Sequence, residues 1–363
     1  KVNSSTSFDV VTATGGTPSD EASAVTVNSI AADYTTLSDA ETGASDANHL
    51  NTSDLVTATT ILNLVCYAGA SADTTYCNID GWTTSADYYC NVYTPRGLGY
   101  NESITRNRHL GVSSSSYYRL VSSGSNGIGL LDDYHRLNGL DISGWSYSSG
   151  TRGGVHTSDS AYDGCYVENC LIHEPTDCAA TLVGLWLARG CDNWVIRNNI
   201  VYNIKTASCA ASHGIRLSRY GTMRNCTVFG CGIGIYCADP SGNNTVVNSA
   251  IFNNDDDFSV SSYVTVTYTA SDDNDISGTG NVDLADSAAS WDAQFKDYDA
   301  TNPDVRLVGN SLLLMTGIGP ASDANVPTTD IVGTSRSGNT CDIGAFEYVA
   351  SGGGGVSIIP IIM

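Results

Sequence analysis

One short phrase recurs five times between Gly127 and Asn254, and it constrains the fold more than any other feature. It reads RLNGLDIS at 136–143, YVENCLIH at 166–173, VIRNNIVY at 195–202, TMRNCTVF at 222–229 and TVVNSAIF at 245–252. Each copy carries alternating apolar residues, an Asn and further strand-forming residues. The Asn positions are 138, 169, 198, 225 and 248, at intervals of 31, 29, 27 and 23. A second phrase precedes each copy, a Gly followed by β-type residues: GIGL at 127, GVHT at 154, GLWL at 184, GIRL at 214 and GIYC at 234. A repeat of this length, built from short strands and Gly/Asn/Ser/Asp turns with no helical period, predicts a solenoid. The fold class expected is all-β: a single-stranded right-handed parallel β-helix.

Stacked parallel strands need apolar residues on the face turned inward. Val167, Ile196, Met223 and Val246 supply them ahead of the Asn, and Leu140, Leu171, Ile200 and Ile251 near or after it. Asn tolerates the left-handed backbone of a sharp corner and can pass a side-chain hydrogen bond to the next coil. Asn138, Asn169, Asn198, Asn225 and Asn248 are therefore expected to form one ladder at one corner.

Composition excludes several functions. Net charge is −22, with only 16 Lys and Arg among 363 residues. Nucleic-acid binding needs a basic stripe, and none is visible, so nucleic acid is not an expected partner. No apolar run is long enough to span a membrane. The sequence begins at Lys1 without an initiator Met or a signal-peptide pattern, which reads as a processed chain or as one whose visible part begins after a disordered start.

The twelve Cys are too sparse for a disulfide scaffold. Cys165, Cys170, His173 and Cys178 have a spacing reminiscent of zinc ligands, but residues 170 and 173 of one strand face opposite ways. Cys170 and Cys226 read as small buried hydrophobes. Cys178, Cys209 and Cys237 are placed where one disulfide in a lateral loop is conceivable.

Taken in order, residues 1–50 read as an N-terminal arm and a helical cap, with Ser38 as N-cap and Glu41 three residues on. A lid there would cover the open end of the solenoid. Residues 51–283 are expected to be the β-helix, with LVTATTILNLVCYAG (55–69) and YCNIDGWTTSADYYCNVYTP (76–95) as first coils. Residues 284–350 read as a C-terminal closing segment. SGGGGVSIIPIIM (351–363) reads as a Gly hinge and an extended apolar tail. Its Val356, Ile358, Ile359, Ile361 and Ile362 would be an aggregation liability in water, which predicts docking on a neighbouring subunit or another particle component, with folding back on its own solenoid as the alternative.

NPDVRLVGNSLLLMTGIG (302–319) followed by TDIVGTSRSGNTCDIGAFEYV (329–349) resembles the terminal segment of right-handed β-helix proteins of the pectate-lyase-like superfamily, particularly uncharacterised phage-associated ones. The matching positions are Asp304, Arg306, Leu307, Ser311, Gly317, Asp330, Gly333, Arg336, Gly338, Asp342, Ile343, Gly344, Ala345, Glu347 and Tyr348. ADYTTLSDAE (32–41) and NIDGWTT (78–84) resemble the opening of such chains. The motif speaks to fold. Arg336 is expected to pair with Asp342 or Glu347 and close the helix end.

The resemblance implies three functional classes. A structural or adhesive protein of a virus particle (phage fibre, tailspike or capsid-exterior protein), touching host glycans or other virion proteins, comes first. A bacterial cell-surface adhesin and a polysaccharide lyase or glycoside hydrolase are the alternatives. The location expected is the virion exterior or extracellular space, and the partners a homo-oligomer, such as a trimer, or virion proteins through the tail. Pectate lyases use Asp-bound calcium with an Arg or Lys base, and polygalacturonases use N-T-D, D-D and G-H-G phrases. This sequence has no N-T-D or G-H-G. Asp132, Asp133 and Asp256 are the catalytic candidates. Asp255, Asp256 and Asp257 could hold calcium, the one cofactor considered, although a run following IFNN is expected to be a solvated turn. Asp132 with His135, and His213 with Arg216, are each three residues apart and so expected to face opposite sides.

Overall fold

A computed structural model of the protein describes residues 2–4, 7–8, 33–96, 107–146, 150–157, 162–176, 181–187, 190–209, 211–237, 239, 242–260, 262–299 and 301–350. The tail residues Val356, Ile358, Ile359, Ile361 and Ile362 and the thiol of Cys178 lie outside this set.

Three parallel sheets, of seven, eight and eight strands, run the length of the molecule. Among the described residues, each of the seven complete coils contributes one strand to each. The coil at the centre supplies Thr181–Trp186 to the first sheet, Val195–Arg197 to the second and Ile200–Tyr202 to the third. Consecutive coils pair in parallel register, as in Val167↔Ile196↔Met223↔Val246. This is a right-handed parallel β-helix. Among the described residues there are two short helices, and neither is long and apolar enough to cross a membrane.

The interior is built as the alternation demands. The middle row of the second sheet, Leu137, Val167, Ile196, Met223 and Val246, is fully buried. In the third sheet the inward residues are Ile142, Ile172, Val201, Val228 and Ile251. Leu171 and Ile200 correct the expectation: they face outward and are buried in a second apolar cluster beneath the C-terminal segment.

The glycines of the second phrase form an inward-facing row. A Cβ on Gly184 would lie 2.6 Å from both the Gly214 carbonyl oxygen and Val201 Cγ1, and one on Gly214 would lie 2.5 Å from Val228 Cγ1. Only glycine lets the first sheet approach the third this closely. Gly184→Ala should therefore push two coils apart at a cost of about 1–3 kcal/mol. The check is a lowered urea midpoint.

The corner between the second and third sheets is one residue with positive φ: Asn169 (55°), Asn198 (55°), Asn225 (51°) and Asn248 (54°). Asn138 is displaced by one position. It lies in register with Glu168, and the corner of its coil is Gly139, with φ 80°. Its side chain still joins the ladder, because Asn169 Nδ2 donates to Asn138 Oδ1 at 3.0 Å and Asn198 Nδ2 to Asn169 Oδ1 at 3.1 Å. The next corner residue, which points inward, is Cys170, Asn199, Cys226 or Ser249, and Asn199 Oδ1 accepts from the Cys170 amide at 2.9 Å.

Helix α1 (Leu37–Gly43) has Thr36 as N-cap in place of the expected Ser38, with the Asp39 amide donating to Thr36 Oγ1 at 3.0 Å. Glu41 does not turn back to the cap. It accepts from Trp82 Nε1 at 2.8 Å and ties the helix to the first coils.

Residues 284–350 run as a strap across the outer face of the third sheet rather than closing the solenoid end. Leu284, Phe295, Val305, Leu313, Ile331, Ile343 and Phe346 are buried there against Leu171, Ile200, Tyr202, Phe229 and Phe252. Arg336 is the rivet. It donates to Asn198 Oδ1 at 2.7 Å, Thr329 O at 2.9 Å, Gly344 O at 3.0 Å and Glu347 Oε2 at 3.2 Å. The ladder serves the strap in these coils: Asn248 Nδ2 donates to Ile318 O at 2.7 Å, and its Oδ1 accepts from the Ile318 amide at 2.9 Å.

Candidate functional site

The outward residues of the second sheet form two rows. In register, one row runs Asn63, Asn91, Arg136, Tyr166, Val195 and Thr222. The other runs Tyr93, Asn138, Glu168, Arg197 and Arg224. The Arg136 guanidinium lies over two rings, 3.8 Å from the Tyr89 centroid and 4.7 Å from that of Tyr166. Stacking of this kind keeps a cation and two aromatic faces half exposed on a rigid surface.

Where this face meets residues 324–329 of the strap, a groove of about 370 Å³ opens. Arg96, Arg108, Asn138, Asn169, Arg197, Asn198 and Thr328 are among its lining residues. Arg108 donates to Asn138 O at 2.9 Å and to Thr94 Oγ1 at 3.2 Å. Burial and the adjacent Arg96 charge push its pKa down to about 10, so it remains cationic at neutral pH. Among the described residues Glu168 is the one acid lining the groove, and Arg197 is bonded to it. Three guanidiniums against one carboxylate give a locally positive channel on a chain of net charge −22.

The catalytic candidates serve local structure. Asp132 Oδ2 accepts from the Trp82 amide at 2.9 Å, and Asp133 Oδ1 from the Asp163 amide at 2.8 Å. Asp132 and His135 lie on a turn and come within 3.5 Å, so they do not face apart as a strand would place them. His213 and Arg216 also share a face, because the bend at Gly214 interrupts the pleat. His213 stacks on Tyr236 with centroids 4.4 Å apart, and the Arg216 guanidinium is 5.5 Å from that same ring. Burial, with the Arg216 charge, lowers the His213 pKa to about 4 and keeps the ring neutral.

The acidic run divides. Asp255 is exposed and paired with Lys205, and Asp256 is half-buried. Both line a second hollow of about 540 Å³ with Lys205 and Ser212. Asp257 is fully buried, which corrects the expectation of a solvated turn. Burial first, then contact with Asp272, raises its pKa to about 9. Two groups place their carboxylate oxygens within 4.8 Å of one another: Asp256, Asp273 and Asp275, and Asp257, Asp272 and Asp273. The sequence gives no sign of Asp272 or Asp273 as partners, since stacked coils join them.

The remaining spacing motif does not assemble. Cys165 and Cys170 point into the core, where burial raises both thiols, while His173 is on the outer face bonded to Asp141 at 2.8 Å. Among the described residues every cysteine is a free thiol, Cys209 and Cys237 included.

No family model matches the chain, and no curated protein matches it. Among solved structures it is similar to one titled "Crystal structure of pectate lyase Pel9A", with a TM-score of 0.39 and 15% identity over 80% of this chain and 87% of that one.

Proposed function

We propose that this protein is an extracellular or virion-exterior β-helix that binds glycan chains along the outer face of its second sheet. It would act as an adhesive module of the fibre, tailspike or capsid-exterior kind. The observation that carries the reading is the convergence of Arg96, Arg108, Arg136 and Arg197 with Tyr89, Tyr166 and the ladder amides on one lateral face. Tyrosine faces stack on sugar rings, amides bond hydroxyls, and guanidiniums grip carboxylate or sulfate groups in a forked geometry. The strand spacing of about 4.8 Å repeats these groups along the axis, as an extended chain ligand requires.

The test is binding of acidic and neutral oligosaccharides by calorimetry. Tyr166→Ala and Arg197→Ala should each weaken binding at least tenfold, the equivalent of about 1.4 kcal/mol. Unchanged affinity in both variants would show that any glycan binds elsewhere.

The enzymatic alternative has its own observation, the hollow that holds Lys205 beside Asp255 and Asp256. The expected outcome is no release of reducing ends or unsaturated products from pectin, alginate or polygalacturonate. Turnover abolished by Asp256→Asn or Asp133→Asn would replace the adhesive reading with a catalytic one.

A further inference from the structure

We infer that Asp257, Asp272 and Asp273 form a divalent-cation site, selective for calcium, inside the last full coils of the solenoid. Asp257 sits between Asp256 and Phe258, which pair with Ile233 and Ile235, so it falls in register with Gly234. It thus continues the inward glycine row of residues 154, 184, 214 and 234, and a Cβ on Gly234 would lie 2.8 Å from the Asp257 carbonyl oxygen. Where preceding coils leave room for the core, this coil puts a carboxyl group.

Its neighbours are acceptors and neutral donors. Asp257 Oδ1 accepts from Asn254 Nδ2 at 2.8 Å, and Oδ2 accepts from Ser271 Oγ at 2.9 Å and the Asp272 amide at 3.0 Å. Asp272 Oδ2 is taken by Trp291 Nε1 at 2.6 Å and the Asn253 amide at 2.9 Å. The other oxygen, Asp272 Oδ1, is buried with no hydrogen-bond partner, and Asp272 itself is only 6% exposed. An orphaned carboxylate oxygen costs its full desolvation penalty, and Asp257 and Asp272 repel each other whenever both are ionised. Each of the salt bridges found among the described residues joins other acids. A cation would satisfy the free oxygen and balance the charge. Asp273 brings a third carboxylate, exposed on one side, which gives the ion a way in. An all-carboxylate set of oxygen donors suits calcium, which binds at about 2.3–2.6 Å and tolerates irregular geometry, better than the rigid octahedron of magnesium.

The test is calcium titration of chelator-stripped protein by calorimetry, with thermal unfolding in parallel. The expected result is one calcium bound per chain and a Tm raised by at least 5 °C at saturation. Asp257→Gly restores the residue type of the preceding coils, so it should fold and lose both binding and the Tm response. Asp272→Asn should lose binding too, while Asp275→Asn keeps it. Absence of saturable binding overturns the inference. So does binding that survives Asp257→Gly, or binding lost only in Asp256→Asn and Asp275→Asn, which would place the ion in the outer acidic group.

Discussion

Replacing Arg336 by alanine will destabilise the protein by about 3–5 kcal/mol, the range for removing one member of a buried ionic and hydrogen-bonded cluster. The side chain is fully buried, and its loss leaves Asn198 Oδ1, the carbonyls of Thr329 and Gly344, and Glu347 short of donors in a place water does not reach. The strap should loosen first, because those partners come from both the strap and the ladder corner. Limited proteolysis between residues 284 and 350, and dye binding to the uncovered Leu171, Ile200 and Phe229, would report it. Arg336→Lys should rescue little, since a point ammonium cannot serve four acceptors spread around a planar fork. Arg306→Ala is the contrast. That side chain is half exposed beside Asp304, and surface pairs of this type contribute about 0–1 kcal/mol. Equal destabilisation by both substitutions would contradict the rivet role.

The repeat was legible in the sequence because its two determinants are local. Alternation puts Val167, Ile196 and Met223 inside, and the left-handed corner selects Asn at 169, 198, 225 and 248. Asn138 misleads for the same reason: Gly139 meets the backbone requirement of the corner, which frees the Asn beside it. Leu171 and Ile200 could not be assigned to a face, since the strap buries the outer side of the third sheet as deeply as the core buries the inner side. The Asp330, Arg336, Asp342 and Glu347 motif was visible, and its pairing with Glu347 is present. Its docking along the sheet depends on contacts more than 100 residues distant in sequence, such as Ala345 to Thr227.

The candidate sites were less legible. His213 and Arg216 share a face only because the glycine row interrupts the pleat. Asp257 looks like one more acid in a turn until the register with Gly234 shows its side chain directed inward. The arginine groove depends on alignment of coils 29 to 31 residues apart. By composition the chain is simply acidic.

Raising the pH from about 6.5 to 9 will remove up to about 3 kcal/mol of stability through a single residue, His173. Burial alone would lower its pKa. Hydrogen bonds from its ring to Asp141, at 2.8 Å, and Glu174, at 3.2 Å, together with their charges, outweigh that and raise it to about 9. An unfolded histidine titrates near 6.5. The raised folded value means that the contribution is fully present below that pH and lost as pH climbs through 9. The position explains why a charged ring is held here. His173 stacks on Tyr202 at 4.6 Å and so begins the row that continues through Phe229 and Phe252 under the strap. Its Nε2 edge meets Asp141, which is fully buried. Nearby His109 stays neutral, because burial lowers its pKa to about 4. His173→Gln keeps a planar polar group on the stack but cannot be charged. Urea unfolding at pH 6 and pH 9 should give a stability difference about 3 kcal/mol larger for the native protein than for this variant. Asp257, whose raised pKa also drains stability as pH rises, acts equally in both proteins and cancels from the comparison. Parallel pH dependence in the two would mean that the His173–Asp141 pair is neutral in the folded state.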